Sequence, residues 1–270
     1  MIGLTWPLLV FFNKLALAFR LKQPINPEDM NPLTNEEKTR YHRQLIVPGI
    51  GAGGQEMLKK SSVLVIGAGG LGSPVLMYLA AAGVGRIGIV DSDEVSTSNL
   101  QRQILYETGD VTRPKADTAA EKLRRINPHI VVMSYPVRLT AENAGGILAG
   151  YDIAVDCCDN YSTRYVLCDA TISAGIPMVY GAVREFMGQT SVFNYRGGPS
   201  YRDLYPEEMH LASSDKSGPP GVIGPLPGII GALQACEVIK IITGAGDVLS
   251  GHLLQVDALN LRTDVISILV

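Results

Sequence analysis

Gly67, Gly69 and Gly72 stand at the spacing G-x-G-x-x-G. Their missing side chains permit a tight turn and let backbone approach a phosphate, and a helix N-terminus beyond them attracts the anion. Asp91 falls where the next strand ends, and a carboxylate there accepts hydrogen bonds from ribose hydroxyls. These features alone lead to a nicotinamide-dependent oxidoreductase, with glycines kept only for packing as the plain alternative. The next residues suit a dehydrogenase poorly. Ser98-Asn99-Leu100-Gln101-Arg102-Gln103 and then Arg113-Pro114-Lys115 bring cations and amides close to where nucleotide phosphates belong. A nicotinamide cofactor has only a pyrophosphate to neutralise. A triphosphate that loses pyrophosphate carries more charge, which positioned Arg and Lys stabilise in the transition state. Asp159 lies just past another strand end, where open α/β sheets bind ligands, and is a natural magnesium ligand there. Taken singly, each charge reads as solvated surface; together on one edge they read as a site.

The elements that hold these residues follow from apolar patterning. Val63-Leu64-Val65-Ile66 is wholly apolar, as in a parallel strand buried on both faces. The glycine turn follows, then a helical pattern over 73–83 that stops at Gly83, then a strand from Ile87 to Val90. Pro114 opens a helix over 114–126 that ends near Asn127-Pro128. Ile130 to Met133 and Ile153 to Val155 read as strands, 163–174 as a helix, and Met178 to Tyr180 as the next strand. The alternation predicts an α/β fold with a doubly wound, Rossmann-like, mostly parallel sheet. After Gly188 the pattern changes. Gln189 to Asn194 alternates like an antiparallel strand, and 196–227 reads as a long loop. Ile229 to Thr243 is helical with Gly244 at its end, and His252 to Val256 and Val265 to Val270 read as closing strands.

Composition narrows the function classes. The 270 residues are 46% hydrophobic and 18% charged, which excludes a disordered chain. A net charge of −3 argues against a nucleic-acid partner. The 29 glycines and 6% aromatics suit close helix–strand packing. Cys157, Cys158, Cys168 and Cys236 show no C-x-x-C spacing, and the four histidines form no ligand pair. The expectation is reduced thiols, a cytoplasmic protein and no zinc. Cys236, on the late helix, is expected in buried packing.

Residues 1–30 form a distinct N-terminal extension, ahead of a single domain over 31–270. The runs Leu8 to Phe12 and Leu15 to Phe19 are too short and interrupted for an integral membrane segment, and residues 1–10 lack the positive charge of a signal peptide. Leu4, Leu8, Phe12, Leu15 and Phe19 share a helical face, which suits peripheral contact with a membrane surface or a partner. The other reading places the true start at Met30. Thr34-Asn35-Glu36-Glu37 is a capping box that starts a helix.

Several blocks occur together and in order: Arg40-Tyr41-His42-Arg43-Gln44, the glycine turn with Gly70, Ser98 to Gln103, Arg113-Pro114-Lys115, Ile126-Asn127-Pro128, and Asp156-Cys157-Cys158-Asp159-Asn160. Gly221 to Pro225 and Gly231 to Ala235 add to them. From about Arg40 onward the chain resembles the ThiF/MoeB/HesA adenylyltransferases, relatives of the ubiquitin-activating enzymes. The resemblance implies ATP-dependent adenylation of the C-terminal glycine of a small β-grasp sulfur carrier ending in Gly-Gly. It implies that Asp91 holds the ribose, that Gly67, Gly69, Gly70, Gly72 and Asp93 belong to the nucleotide site, and that Asn99, Arg102 and Lys115 contact phosphates with Gln103 nearby. It implies Asp159 as the Mg2+ ligand. It also implies that Arg43 reaches the active site of the second subunit of a homodimer.

The chain departs from that pattern in places. Many members carry a structural zinc on two C-x-x-C pairs. Here the first location reads Ser200-Tyr201-Arg202-Asp203, and no second pair follows. Residues 190–230 hold no cysteine, so covalent thiol chemistry at the usual loop position is not expected; Ser217 stands near that place. The lost cysteines leave a non-catalytic scaffold as an alternative. Gly72-Ser73-Pro74 and Arg138-Leu139-Thr140 lean towards thiamine thiazole rather than molybdopterin synthesis.

Overall fold

The computed structural model describes residues 32–207 and 221–269. The apolar N-terminal runs, the proposed start at Met30 and Ser217 lie outside them. Eight strands form one sheet: β1 Ser62–Ile66, β2 Arg86–Val90, β3 Val131–Tyr135, β4 Ile153–Asp156, β5 Met178–Arg184, β6 Met187–Phe193, β7 His252–Asp257 and β8 Arg262–Ser267. Their order is β3-β2-β1-β4-β5-β6-β7-β8. The first five are parallel and the last three antiparallel. This is the doubly wound sheet with antiparallel C-terminal strands that the patterning predicts.

The helices are α1 Asn35–Arg40, α2 His42–Leu45, α3 Gly51–Lys60, α4 Gly72–Ala82, α5 Lys115–Ile126, α6 Ala141–Leu148, α7 Tyr161–Ala174, α8 Tyr201–Leu204 and α9 Pro225–Thr243. Strand β1 is buried on both faces, as its continuous apolar run requires. Val63 and Val65 point into a core beneath α3, α4, α5 and α9. Leu64 and Ile66 point into a second core beneath α6, α7 and α8.

Three stretches differ from the sequence reading. Helix α3 begins Gly-Ala-Gly-Gly and α6 carries Gly145-Gly146, both poor helix formers. Packing overrides that propensity: Leu58 of α3 and Leu148 of α6 are buried. The stretch 196–227 is not one loop. It carries α8, and α9 already begins at Pro225, a residue suited to a first helical turn. Helix α8 is anchored by Tyr201, which is 1% exposed and lies among Tyr165, Tyr180, Phe193 and Tyr205. Arg202 pairs with Asp169 and Glu207. Aromatic packing and these pairs therefore order Ser200-Tyr201-Arg202-Asp203.

Candidate active site

The winding of the sheet reverses between β1 and β4, so the turns after both strands open at one edge, where such sheets bind ligands. The four glycines after β1 divide into two pairs. Gly67 has φ +93°, and a Cβ there would stand 2.5 Å from the carbonyl oxygen of Cys157. A Cβ on Gly72 would stand 2.0 Å from the carbonyl oxygen of Gly67. Those two permit the turn itself. Gly69 and Gly70 face side chains instead. Their Cβ positions lie 3.3 Å from Gln103 Nε2 and 3.2 Å from Pro227 Cβ.

The Ala68 peptide between them is held on both sides. Its N–H donates to Asp91 Oδ2 at 2.7 Å, and its carbonyl accepts from the Tyr106 hydroxyl at 2.9 Å. Tyr106 also reaches the Lys115 carbonyl at 3.2 Å. Burial pushes the Tyr106 phenol well up, so it remains a donor. The sequence reading missed Tyr106; its signal was a tyrosine three residues beyond the Gln103 amide.

Asp91 and Lys115 meet through Asp93. The Asp93 N–H donates to Asp91 Oδ1 at 2.8 Å. Its carbonyl accepts from the Lys115 N–H at 2.9 Å, and its carboxylate pairs with the Lys115 ammonium at 2.9 Å. Burial raises the Asp91 pKa, against the Ala68 and Asp93 N–H groups and the Lys115 charge. Lys115 is only 5% exposed, so its charge sits in a fixed place.

A 3-10 turn at Thr97–Asn99 brings the amide block alongside. The backbone N–H groups of Arg102 and Gln103 both donate to the Asn99 carbonyl. The Arg102 stem lies against Gly70, and its Nη1 donates to the Ser98 carbonyl at 3.1 Å. Gln103 is buried, and its Oε1 has no hydrogen-bond partner among the described residues. Arg102, Gln101, Pro74, Gly224 and Pro225 line an open cleft of about 220 Å³. The start of α9 thus forms a wall, a role that sequence reading did not assign.

Asp159 stands across the edge from Asp91, exposed, in the turn between β4 and α7. Its Oδ1 accepts from Asn160 Nδ2 at 3.4 Å. Among the described residues no three His, Cys, Asp or Glu side chains converge. Cys157 and Cys158 are buried, and burial raises both thiols far above the ordinary value. Cys236 corrects an expectation: it is exposed, because α9 turns Leu226, Ile230, Ala235 and Val238 towards the core and Cys236 away from it.

Arg43 is not brought to this edge of its own chain. Its neighbour Gln44 bonds the carbonyl of Ala82, at the far end of α4 from the glycine turn. That helix has 11 residues and is about 16 Å long.

The signature described as ThiF family matches residues 41–268. A sulfur carrier protein adenylyltransferase of Thermus thermophilus is 50% identical over 231 residues, covering 84% of this chain and 85% of that one. A probable molybdopterin-synthase adenylyltransferase of Porphyra purpurea is 49% identical over 227 residues, covering 84% of this chain and 59% of that one. Among solved structures, PaaA superposes with a TM-score of 0.76 over 98% of this chain and 84% of its own, at 21% identity, which shows a shared fold. On the extent of the signature and the identity to these relatives, the chain belongs to the ThiF family.

Proposed function

We propose that the protein uses Mg-ATP to adenylate the C-terminal glycine of a small ubiquitin-like sulfur carrier, releasing pyrophosphate. The observation that carries this reading is the convergence of Asp91, Lys115, Arg102 and the buried Gln103 amide around Gly69 and Gly70 on one sheet edge. Those residues suit a nucleoside triphosphate. A Cβ on Gly69 or Gly70 would press on Gln103 or Pro227, so glycine at both positions keeps the backbone bare between these side chains and the sheet edge. The named relatives are adenylyltransferases, which supports this chemistry over a nicotinamide-dependent oxidation or a silent scaffold.

In the proposed reaction a carboxylate oxygen of the terminal glycine attacks the α-phosphorus of ATP. The bond from that phosphorus to the bridging oxygen of the β-phosphate breaks, and pyrophosphate leaves with the electron pair. The carboxylate is already ionised near neutral pH, so no general base is needed. Alignment and charge neutralisation supply the acceleration. Asp91 accepts from the ribose hydroxyls. Lys115 and Arg102 meet the negative charge that builds on the phosphates, with Asn99 and Gln103 as neutral partners. Asp93 holds Asp91 and Lys115 in register. Asp159 offers one exposed, hard carboxylate, which fits a Mg2+ already carried by the triphosphate. When bound, that ion neutralises phosphate charge and assists departure of the pyrophosphate.

The active species in this reading is a homodimer. Exposed Ile46 and Val47 in the α2–α3 connection, Tyr78 on α4, and Ile229 and Cys236 on α9 lie on one side of the sheet. The distance of Arg43 from its own glycine turn suits a role across the pair. Helix α9 is long and apolar enough to span a membrane by length and composition, but 56% of it is buried in the core, so we read it as a core helix.

The test is the intact mass of Gly-Gly-ended carriers from the thiamine and molybdopterin pathways after incubation with the protein and Mg-ATP. An added AMP on a carrier is the expected result, and the carrier that gains it identifies the pathway. ATP binding with no adduct on any carrier would overturn the reading.

A further inference from the structure

A buried ion pair lies directly beneath the Asp159 turn, and the proposed reaction gives it no part. Arg164, in the first turn of α7, is 5% exposed, and Asp156, the last residue of β4, is fully buried. The guanidinium Nε donates to Asp156 Oδ2 at 2.6 Å. Its Nη2 donates to the Cys158 carbonyl at 2.9 Å and to the Gly181 carbonyl at 3.3 Å. The faces of Tyr180 and Tyr201 cover the guanidinium at 5.0 and 5.7 Å. The other oxygen of Asp156 accepts from the Cys158 N–H at 3.1 Å and the Cys158 thiol at 2.7 Å. From the opposite face of the sheet, Gln234 of α9 donates to the Asp156 carbonyl at 2.8 Å.

The consequence concerns the next residue. Both backbone polar groups of Cys158 are pinned, its N–H by Asp156 and its carbonyl by Arg164. That carbonyl belongs to the peptide that enters Asp159. On the far side, Asn160 caps α7 by accepting from the Thr163 N–H at 2.9 Å. Asp159 is therefore an exposed carboxylate on a turn fixed at both ends. A buried ion pair gives little net stability relative to apolar packing, because desolvation offsets the attraction. A rigid fork with several fixed partners gives geometry instead.

We infer that Arg164 is a positioning residue: with Asp156 it clamps the peptide before Asp159 and sets where that carboxylate stands relative to the glycine turn. The inference rests on the proposed role of Asp159 towards Mg2+. Arg164 itself touches neither nucleotide nor metal. Groups that orient a metal ligand are worth about ten- to a hundredfold in metal affinity when removed.

The test measures ATP affinity by calorimetry on the full chain, with Mg2+ and with a chelator, for the parent protein, Arg164→Lys, Asp159→Asn and the double variant. Lysine keeps a positive charge near Asp156 but loses the fork to the Cys158 carbonyl. We expect Arg164→Lys to lose about ten- to a hundredfold of the Mg2+-dependent gain in ATP affinity while affinity in chelator stays the same. The double variant should equal Asp159→Asn, since a residue acting through Asp159 has nothing left to position. If Asp159→Asn abolishes the gain and Arg164→Lys keeps it, the clamp is overturned and the site reading stands. An unchanged gain in Asp159→Asn would overturn the Asp159 assignment and the clamp with it. An equal loss with and without Mg2+ in Arg164→Lys would make the residue merely structural. Should Arg164→Lys not fold, Asp156→Asn carries the same comparison from the other half of the pair.

Discussion

Gly72 and Gly69 share one motif and differ in what surrounds them. A methyl on Gly72 overlaps the backbone oxygen of Gly67, which has no room to move between β1 and α4. Gly72→Ala should cost about 3 kcal/mol of stability, read by chemical denaturation. A methyl on Gly69 meets the end of the Gln103 side chain, which gives way. Gly69→Ala should fold with unchanged stability yet bind ATP about tenfold more weakly or worse, by calorimetry. Equal effects of the two substitutions would mean that the motif serves packing alone. The exposed Asp159 and the half-buried Arg102 admit a simpler comparison. Arg102→Ala and Asp159→Ala should abolish carrier adenylation while shifting stability by no more than about 0.5 kcal/mol. Turnover surviving both changes would remove these residues from the site. At this scale the motif residues were legible because their types and order are chemical. Tyr106 and Arg164 were not, because a buried hydroxyl or guanidinium acts through partners on other elements, and only the fold brings these to it.

Among elements, the short helix α1 shows how a local signal acquires a tertiary role. Thr34 accepts from the Glu37 N–H at 3.2 Å, and the Glu37 carboxylate accepts from the Thr34 N–H at 2.8 Å, the capping box that the sequence announces. The same carboxylate accepts from the Lys59 ammonium at 2.8 Å, tying α1 to α3, which no local pattern shows. Burial alone would raise the Glu37 pKa; the Lys59 and Thr34 bonds outweigh it and lower it below its ordinary 4.5. A lowered carboxylate stabilises the fold fully above 4.5 and loses that stabilisation as pH falls through the folded value. Glu37→Gln should therefore cost about 1–2 kcal/mol at pH 7, and the gap between parent and variant should shrink as the medium is acidified below 4.5. A gap independent of pH would mean that the charge contributes nothing. Elements with clean apolar periods, such as β1 and α5, could be read directly from sequence. Helices α3 and α6 could not, because their glycines argue against a helix and only packed neighbours make one.

For the molecule as a whole, the question is why Arg43 sits where it does. It is exposed on α2, and that helix is tied through Gln44 to Gln55 and to the C-terminal end of α4. The glycine turn is at the other end of α4, so Arg43 and Lys115 of one chain stand near opposite ends of that helix. If both serve one reaction, they come from different copies, and each active site is shared. Two separately inactive proteins then make a decisive mixture. Arg43→Ala supplies intact Lys115 but no arginine to its partner, and Lys115→Ala does the reverse. A mixed pair contains one site in which both residues are intact. Unfolding is not needed to form it if subunits exchange, and coexpression forms it directly. Each variant alone should fail to adenylate a carrier, and the coexpressed pair should recover a measurable part of the parent rate. The recovered activity should elute at the mass of a dimer. A mixture as inactive as its components, from chains that demonstrably pair, would overturn the shared site and leave the exposed apolar residues of the α2–α3 connection, α4 and α9 as a structural contact only.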